Sequence, residues 1–290
     1  MPSASPEDPQ RSLGGVLDFL PPELRLRVVS GTAIGIVAFA MLYWSPGAFA
    51  VLTFLVATAM SWEWSRIVRG TMPDSGLVIH VLTVLAAAIL TARDMAGMAV
   101  IASIVGAVVV GALATGSGRS RLSGAGVLYT ALPVIALGWL RSDETLGFLA
   151  TLFVILSVAV TDVAAFAAGR TIGGPKLWPE VSPNKTWSGL LGGIGTAAIA
   201  GALFSYVSGT GGAFWLASLG LALGVVAQWG DLAESALKRH FGLKDSGGLI
   251  PGHGGFMDRM DGLVTASIAA ALIGFSIDAF APARALLYGS

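Results

Sequence analysis

The sequence predicts an all-α membrane protein with about nine transmembrane helices, a cytoplasmic N-terminus and a C-terminus outside. Three observations lead to this prediction. The 290 residues are 54% hydrophobic and only 12% charged, whereas soluble domains carry about 25% charged residues. Nine apolar stretches have about the length that a bilayer-crossing helix needs. Finally, the lysines and arginines collect in alternate loops, as the positive-inside rule predicts for a multi-pass protein.

The nine apolar stretches follow one another along the chain and are separated by loops. They cover residues 28–44, 46–62, 77–92, 95–114, 124–140, 145–168, 188–208, 213–234 and 262–281. The chain contains 39 glycines, and many of them lie inside these stretches. Because glycine has no side chain, it allows helices in a membrane to approach closely. We therefore expect close helix contacts at these glycines.

The first 27 residues differ from the rest because they are polar and rich in proline and serine. They lack the apolar core of a signal peptide. We interpret residues 1–27 as a cytoplasmic tail with a short surface helix near Leu13–Leu20. Residues 28–290 then form a single membrane domain, which we place in the plasma (inner) membrane.

The distribution of basic residues gives the predicted orientation. With the N-terminus inside, the outside segments hold only Arg93, Arg141 and Arg284, and the other 14 of the 17 lysines and arginines lie inside. An error of one span would destroy this asymmetry, so it also favours nine helices. Two inside loops, about 169–187 and 235–261, are long and rich in charge.

Composition excludes several classes of function. The formal net charge is zero, so no overall basic field indicates nucleic-acid binding. The absence of cysteine excludes disulfides, thiolate catalysis and cysteine-bound zinc. With three histidines in the chain, any metal is expected to be a hard cation held by carboxylates.

Three aspartates occur where a carboxylate needs an explanation. Asp162 lies deep in an apolar run, where charge is costly and indicates a partner or a water-filled site. Asp258 and Asp261 stand three residues apart in the sequence DRMD, and two carboxylates at this spacing can share a cation. The alternatives are an ion pair of Asp162 with Arg170 or with a lysine elsewhere, and capping of the last helix by Asp258 and Asp261.

A fourth aspartate begins a polar stripe at the end of an apolar stretch. Asp231, Glu234, Ser235 and Lys238 are spaced i, i+3, i+4 and i+7, so they share one face of a helix. Either this face contributes to a site, or it is an exposed helix end with ion pairs between its own residues.

Basic and glycine-rich segments accompany these acids. The segment SPNKTW contains Ser182, Asn184, Lys185 and Thr186, and the later segment contains Lys238, Arg239, Lys244 and Arg259. Glycine pairs at 173–174, 247–248 and 254–255 let backbone N–H groups approach phosphate oxygens, which the basic side chains would neutralise. The alternative for the basic residues is membrane topology and attraction to anionic lipid head groups.

Carboxylates, basic side chains and glycine turns together favour metal-assisted phosphoryl or nucleotidyl transfer. His253, between glycines, is a candidate to contact phosphate or to move a proton, and the alternative is a structural histidine. The predicted site faces the cytoplasm at the membrane surface. A water-soluble triphosphate and a membrane-bound substrate can meet there.

The segment from Ser235 to Asp261, SALKRHFGLKDSGGLIPGHGGFMDRMD, resembles the signature of phosphatidate cytidylyltransferases, also called CDP-diacylglycerol synthases. Asp162 with the following AF and GR pairs, and SPNKTW at 182–187, also resemble this family. The clear resemblance covers about residues 160–262, which we take as the catalytic region. One departure is Ser188, where family members often have glutamate.

The resemblance implies that the chain condenses CTP with phosphatidic acid, giving CDP-diacylglycerol and pyrophosphate. It also implies an all-helical, multi-pass protein among membrane lipids, a homodimer, and a requirement for Mg²⁺, with a second cation such as K⁺. The metal ligands carry over to Asp231 and Asp258, with Asp261 and Asp162 as further members. The implied catalytic residues are Asp231, Asp258, Lys238, Arg239, Lys244 and His253.

The implied substrate-binding residues come from the same two segments. They are Ser182, Asn184, Lys185, Thr186, Ser235, Lys238, Arg239, Lys244, Asp245, Gly254, Gly255 and Arg259. Two alternatives remain open. One is a CTP-dependent kinase or cytidylyltransferase for another lipid, and the other is an ion-coupled transporter that uses Asp162 and Asp231. Transporter sites lie near the membrane midplane, whereas the charge here lies on one face.

Overall fold

Helices account for nearly all of the regular structure in this computed structural model, which describes residues 22–70, 73–249 and 254–290. In chain order the elements are α1 (Pro22–Trp44), α2 (Pro46–Arg69), α3 (Ser75–Thr91), α4 (Ala96–Leu113), α5 (Ser120–Arg141), α6 (Gly147–Thr171), β1 (Lys176–Trp178), β2 (Ser182–Thr186), α7 (Trp187–Ser208), α8 (Ala213–His240), α9 (Met257–Ile277) and α10 (Pro282–Tyr288). The predicted surface helix near Leu13–Leu20 and the candidate His253 lie outside the described residues.

Many of these helices have the length and composition of membrane spans. Within the described residues, seven are long and apolar enough to cross a membrane, namely α2 and α4 to α9. The apolar part of α1 (Val28–Trp44) and the whole of α3 are shorter. Large apolar side chains face outwards, including Tyr206, Val207 and Phe214, each more than 80% exposed. Lipid can solvate such side chains, so the chain is an all-α multi-pass membrane protein, and the count of nine spans stays a prediction.

Two helices near the charged segments extend further than predicted. Helix α8 continues to His240, and α9 begins at Met257, so the predicted loop from 235 to 261 was too long. A prediction from hydropathy ends each span at its first charged residue. Here the helices continue through charged residues, which form ion pairs between helices, such as Lys238 of α8 with Asp258 of α9. Asp258 and Asp261 consequently lie inside α9 and not before it.

The segment at 169–187, which was predicted to lie inside, contains a hairpin that the all-α prediction did not include. Strands β1 and β2 pair antiparallel, with Lys176 opposite Thr186 and Trp178 opposite Ser182, and an irregularity lies between these pairs. Thr186 ends the hairpin and caps α7, because its Oγ1 accepts a hydrogen bond from the N–H of Gly189 at 3.1 Å. The hairpin is thereby fixed to the start of α7.

Glycines bring α7 and α8 into close contact, as the sequence predicts. A Cβ atom on Gly220 would lie 2.5 Å from the carbonyl oxygen of Ala197, and one on Gly201 would overlap the carbonyl of Leu216. Helices α6, α8 and α10 share a core that includes Phe153, Leu216 and Leu286. Helix α8 also packs against α9 and α6, and Asp162, Asp231 and Asp258 lie on these three helices.

Candidate active site

One polar face of α8 organises the candidate site. It runs from Gln228 to Lys238, over about 15 Å at the 1.5 Å rise of an α-helix. Two groups of side chains meet it. We call them the Asp231 cluster (Asp162, Lys185, Gln228 and Asp231) and the Asp258 cluster (Glu63, Glu234, Lys238, Ser246 and Asp258).

The Asp231 cluster connects three elements of the fold. Lys185 of the hairpin places its Nζ 2.7 Å from Oδ2 of Asp231 on α8, and 3.4 Å from the backbone oxygen and from Oε1 of Gln228. Gln228 donates from Nε2 to Oδ1 of Asp162 on α6, also at 3.4 Å. Ser235 donates to Oδ1 of Asp231 at 3.4 Å. The structure therefore brings together residues that the sequence placed in three separate motifs.

The ion pair considered between Asp162 and Arg170 does not form within the described chain. The Arg170 guanidinium lies over the ring of Phe166, 5.9 Å from its centroid. Asp162 accepts its hydrogen bond from Gln228 instead, and its side chain is exposed. It is therefore open to a ligand from outside the helix bundle.

The carboxylates near Asp231 form a centre of negative charge. Asp261 is only 9% exposed and accepts a hydrogen bond from the N–H of Gly262 at 2.7 Å. It lies close enough to Asp231 and Asp162 for unfavourable electrostatic interaction with both, and Asp162 likewise interacts unfavourably with Asp231. Lys185 and Arg259 already offset part of this repulsion, and a bound cation would relieve it further.

The oxygen ligands of this centre suit Mg²⁺. In the described part of the chain, no three His, Asp or Glu side chains converge in metal-binding geometry. Mg²⁺ commonly uses only one or two carboxylates and completes its coordination with water and substrate phosphates. The residues present therefore fit a Mg²⁺ ion that arrives together with a phosphate-bearing substrate.

The Asp258 cluster is a network around one lysine. Lys238 Nζ lies 2.5 Å from Oε2 of Glu234 and 2.5 Å from Oδ1 of Asp258. Oδ2 of Asp258 accepts hydrogen bonds from the N–H and the hydroxyl of Ser246, at 3.0 and 2.9 Å, and from the N–H of Gly255 at 3.2 Å. Asp258 thus holds both Lys238 and the loop between α8 and α9.

Glu63 completes this network, and the sequence analysis missed it. It lies in α2, is fully buried, and accepts hydrogen bonds from Ser246 Oγ at 3.1 Å and from the N–H groups of Phe256 and Met257 at 3.0 and 2.8 Å. These two N–H groups begin α9, so Glu63 caps that helix from another part of the chain. A charge at the end of an apolar run is a signal of function, but the predicted span ended at residue 62.

Other candidate residues border the site and are accessible. Arg239 is exposed, and its Nε lies 3.4 Å from a carbonyl oxygen of the hairpin turn. Lys244 and Asp245 are exposed in the loop after α8, and Arg259 is exposed on α9. Gly254 has a φ of +85°, which glycine adopts without strain. The side chains of Arg239, Lys244, Asp245 and Arg259 are therefore accessible at the border of the two clusters.

The candidate residues of the hairpin divide between exposed and structural positions. Asn184 is exposed and Ser182 is half-buried, whereas Thr186 is buried in its capping role. Ser188, the departure from the family signature, donates to the carbonyl oxygen of Gly173 at 2.5 Å. It therefore has a structural contact that ties α7 to the loop before the hairpin.

The amino-acid sequence of this chain is similar to those of known proteins. The model of the cytidylyltransferase family matches residues 25–276. The chain is 35% identical over 252 residues to the phosphatidate cytidylyltransferases of Brucella suis biovar 1 and Brucella melitensis biotype 1, covering 87% of this chain and 93% of each relative. It is 42% identical over 123 residues to the Bacillus subtilis phosphatidate cytidylyltransferase, covering 42% of this chain and 46% of the relative.

Proposed function

The chain belongs to the cytidylyltransferase family, and from this premise we propose that it is a phosphatidate cytidylyltransferase. It transfers the cytidylyl group of CTP to phosphatidic acid, which gives CDP-diacylglycerol and pyrophosphate for phospholipid synthesis. The observation that carries this proposal is the similarity to relatives of that name over 93% of their length. The charged clusters between apolar helices support it, because a soluble nucleotide must meet a membrane lipid.

The proposed reaction is an in-line displacement at phosphorus. An oxygen of the phosphate monoester attacks the α-phosphorus of CTP, the bond from that phosphorus to the β-phosphate oxygen breaks, and pyrophosphate leaves with the electron pair. A phosphate monoester is largely ionised near pH 7, so the attack requires no strong general base. The protein then contributes positioning and charge neutralisation.

The basic side chains fit this task. Lys185 and Lys238 are held by carboxylates at 2.7 and 2.5 Å, so their charges are already positioned. Arg239, Lys244 and Arg259 are exposed around them, where an anion from solution can reach them. We assign all five to neutralising the phosphates of the substrates and of the leaving pyrophosphate. His253, which precedes Gly254, is assigned to orienting a phosphate.

We propose Mg²⁺ as the cofactor, with Asp231 as its first ligand. When bound, Mg²⁺ supplies neutralisation of the negative charge that develops on the phosphate oxygens. Asp231 keeps acceptor sites beyond those used by Lys185 and Ser235, and Asp162 and Asp261 are its neighbours. Asp258 can bind the Mg²⁺ only if it gives up one of its present hydrogen-bond donors, which belong to Lys238, Ser246 and Gly255. We extend the proposal to a second cation, such as K⁺, on the same carboxylates.

We also propose that the protein lies in the plasma (inner) membrane, with its site facing the cytoplasm, and that it forms a homodimer. The excess of lysine and arginine in the inside segments supports a site that faces the cytoplasm from the plasma (inner) membrane. The homodimer rests on the family resemblance alone.

A transfer assay tests the function directly. Purified protein in detergent is given phosphatidic acid and CTP labelled at its α-phosphate, with Mg²⁺ or with EDTA, and label entering the lipid phase is measured. We expect Mg²⁺-dependent transfer and equal release of pyrophosphate. Folded protein that transfers no label under either condition contradicts the proposal and turns attention to another lipid acceptor or to transport.

A substitution at Asp258 tests the assignment of the site. Asp258→Asn removes the charge that holds Lys238 but keeps the shape of the side chain. We expect turnover to fall about 10²-fold or more, in a protein that still unfolds in one thermal transition, at a lower temperature because Lys238 loses one of its two carboxylates. The matched control is Asp94→Asn, an exposed aspartate at a positive φ of 59° that asparagine also adopts. Full activity of Asp258→Asn would remove this residue from the site.

A further inference from the structure

A second binding region adjoins the charged clusters. It is an apolar groove of about 480 Å³ between α1, α2, α5, α6 and α9. Its outer wall is thin, because Ile34 and Phe39 of α1 remain 46% and 52% exposed. Among the described residues that line it, Thr53, Thr130 and Arg259 are the polar ones, and Arg259 alone carries a charge.

The charged end of the groove lies near the Asp231 cluster. Arg259 lies in α9 between the candidate ligands Asp258 and Asp261, and its guanidinium also interacts electrostatically with Asp162. Ile155 lines the groove on α6, two helical turns before Asp162. The groove and the carboxylates therefore share two helices and one arginine.

The groove runs away from the site and not across it. Glu63, near the end of α2, contacts the start of α9, so Phe49 and Leu42, close to the α1–α2 turn, lie at the far end of the groove. From Gly31 to Leu42 the α1 wall extends about 16 Å at 1.5 Å per residue. The groove thus has one cationic end near the charged clusters. Its long apolar body extends along α1, away from these clusters.

We propose that this groove holds an acyl chain of the phosphatidate substrate, with Arg259 beside its phosphate. This inference rests on the proposed function and adds the place of the lipid. The phosphate of such a lipid is complementary in charge to Arg259 at one end of the groove. Its acyl chain is apolar, as is the rest of the groove lining. A nucleotide has no group that matches the apolar body.

Gly35 offers a way to fill the groove without disturbing the protein. It lines the groove, and a Cβ atom placed on it would meet nothing within 4 Å. Gly35→Phe therefore puts a ring into the space for the chain. Gly97→Phe is the matched control, since Gly97 on α4 is equally open and does not line the groove.

Turnover with two lipids tests the proposal. With dioleoyl phosphatidate in detergent micelles, we expect Gly35→Phe to raise KM for the lipid about tenfold or more, because each displaced methylene costs about fourfold in affinity. KM for CTP and turnover of short-chain dihexanoyl phosphatidate should stay within about twofold of the wild type, which is below the cost of one methylene. Gly97→Phe should match the wild type throughout.

A protection experiment covers the case in which Gly35→Phe folds poorly. The chain has no cysteine, so Gly35→Cys introduces a single thiol for a membrane-permeant maleimide. Dioleoyl phosphatidate should slow its labelling, and dioleoyl phosphatidylcholine should not. Equal protection by both lipids, or an unchanged KM in Gly35→Phe, overturns the groove as a substrate site. Failure of the proposed function is distinct from these results, because the wild type itself would then transfer no label.

Discussion

Glu63 illustrates how a single buried carboxylate can organise a loop of the site. Its three hydrogen bonds join α2 to Ser246 and to the first turn of α9. Two glycines leave room for it, since a Cβ atom on Gly247 or Gly255 would lie 2.8 Å from its carboxylate oxygen. The Ser246 hydroxyl lies 3.1 Å from Glu63 and 2.9 Å from Asp258 and shares its single proton between the two carboxylates, so Glu63 is connected to the candidate site through this hydroxyl. We regard it as a positioning residue.

Glu63→Ala should lower both stability and turnover. It leaves the N–H groups of Phe256 and Met257 without an acceptor, each at about 1–3 kcal/mol, so we expect destabilisation by about 2 kcal/mol or more. A displaced Asp258 should reduce kcat about 10–100-fold. Glu63→Gln keeps one acceptor oxygen and should recover part of kcat. Thermal unfolding and the transfer assay measure both effects.

The control for Glu63 is Glu144→Gln, an exposed glutamate in the loop after α5, which should change neither quantity. If Glu63→Ala lowers the unfolding temperature but leaves kcat and both KM values at wild-type levels, the residue is structural only. If Ser246→Ala and the double variant Glu63→Ala with Ser246→Ala lose the same factor in kcat, Glu63 acts on Asp258 through Ser246.

The sequence indicated candidate residues for the site but not their contacts. Asp162, Lys185, Asp231 and Lys238 were predictable because charge in apolar surroundings needs a reason. Their partners were not, because spacing along a chain gives neighbours only within one helix. Glu63 and Met257, for example, are 194 residues apart in sequence and meet only after the helices pack.

At the level of elements, glycine contacts set the distance between α7 and α8. A Cβ on Gly201 would overlap a backbone carbonyl of α8, which cannot move as a flexible side chain can. Gly201→Ala should therefore separate the helices and destabilise the protein by about 1–3 kcal/mol. The thermal transition in detergent measures this loss.

Gly195→Ala is the matched control in the same helix. A Cβ atom there would meet nothing within 4 Å, and alanine is favoured over glycine in a helix interior by about 1 kcal/mol. We expect an unchanged or higher transition temperature. Equal effects of the two variants would mean that Gly201 does not control the contact.

The start of α3 should give the protein a dependence on acid pH. Asp74 caps this helix by accepting from the N–H of Leu77 at 2.8 Å and pairs with Arg69 at 2.6 Å. Burial alone would raise the pKa of Asp74, but the hydrogen bonds from Arg69 and Leu77 outweigh it and lower the pKa below its usual 3.8. The ionised form therefore stabilises the fold above pH 3.8, and this stability is lost as the pH falls through the lowered pKa.

Asp74→Asn separates the charge from the cap. Asparagine is also a good N-cap, so the variant loses mainly the ion pair, and we expect a cost of about 1 kcal/mol at neutral pH. The difference in unfolding temperature from the wild type should be constant above about pH 5 and should narrow from about pH 5 to about pH 2, as the wild-type carboxylate is protonated through its lowered pKa. A constant difference over that range would show that the ion pair does not stabilise α3.

For the whole molecule, the helical fold was predictable and the hairpin was not. Each of the nine apolar stretches overlaps a helix, because burial in lipid and in the bundle needs long apolar segments. Strands β1 and β2 have only three and five residues in a polar segment with prolines. Their position depends on contacts that no local pattern contains, such as that of Lys185 with Asp231.

The orientation of the whole chain can be tested with single thiols, because the protein has no cysteine of its own. Glu144 and Glu180 are exposed and lie beyond opposite ends of α6. With 14 of the 17 basic residues on the predicted inner side, Glu144→Cys should lie outside and Glu180→Cys inside. A membrane-impermeant maleimide should label Glu144→Cys in intact cells and Glu180→Cys only after permeabilisation.

The same labelling connects topology with chemistry, because Glu180 belongs to the hairpin that carries Lys185. If Glu180→Cys reacts from outside in intact cells, the candidate site faces away from cytoplasmic CTP, and the proposed orientation is wrong even where the purified protein is active. If both thiols react from outside, α6 does not separate the two loops, and the predicted number of spans is wrong as well. Protection of Glu180→Cys in intact cells, together with exposure of Glu144→Cys, places the charged clusters on the side where nucleoside triphosphates are available.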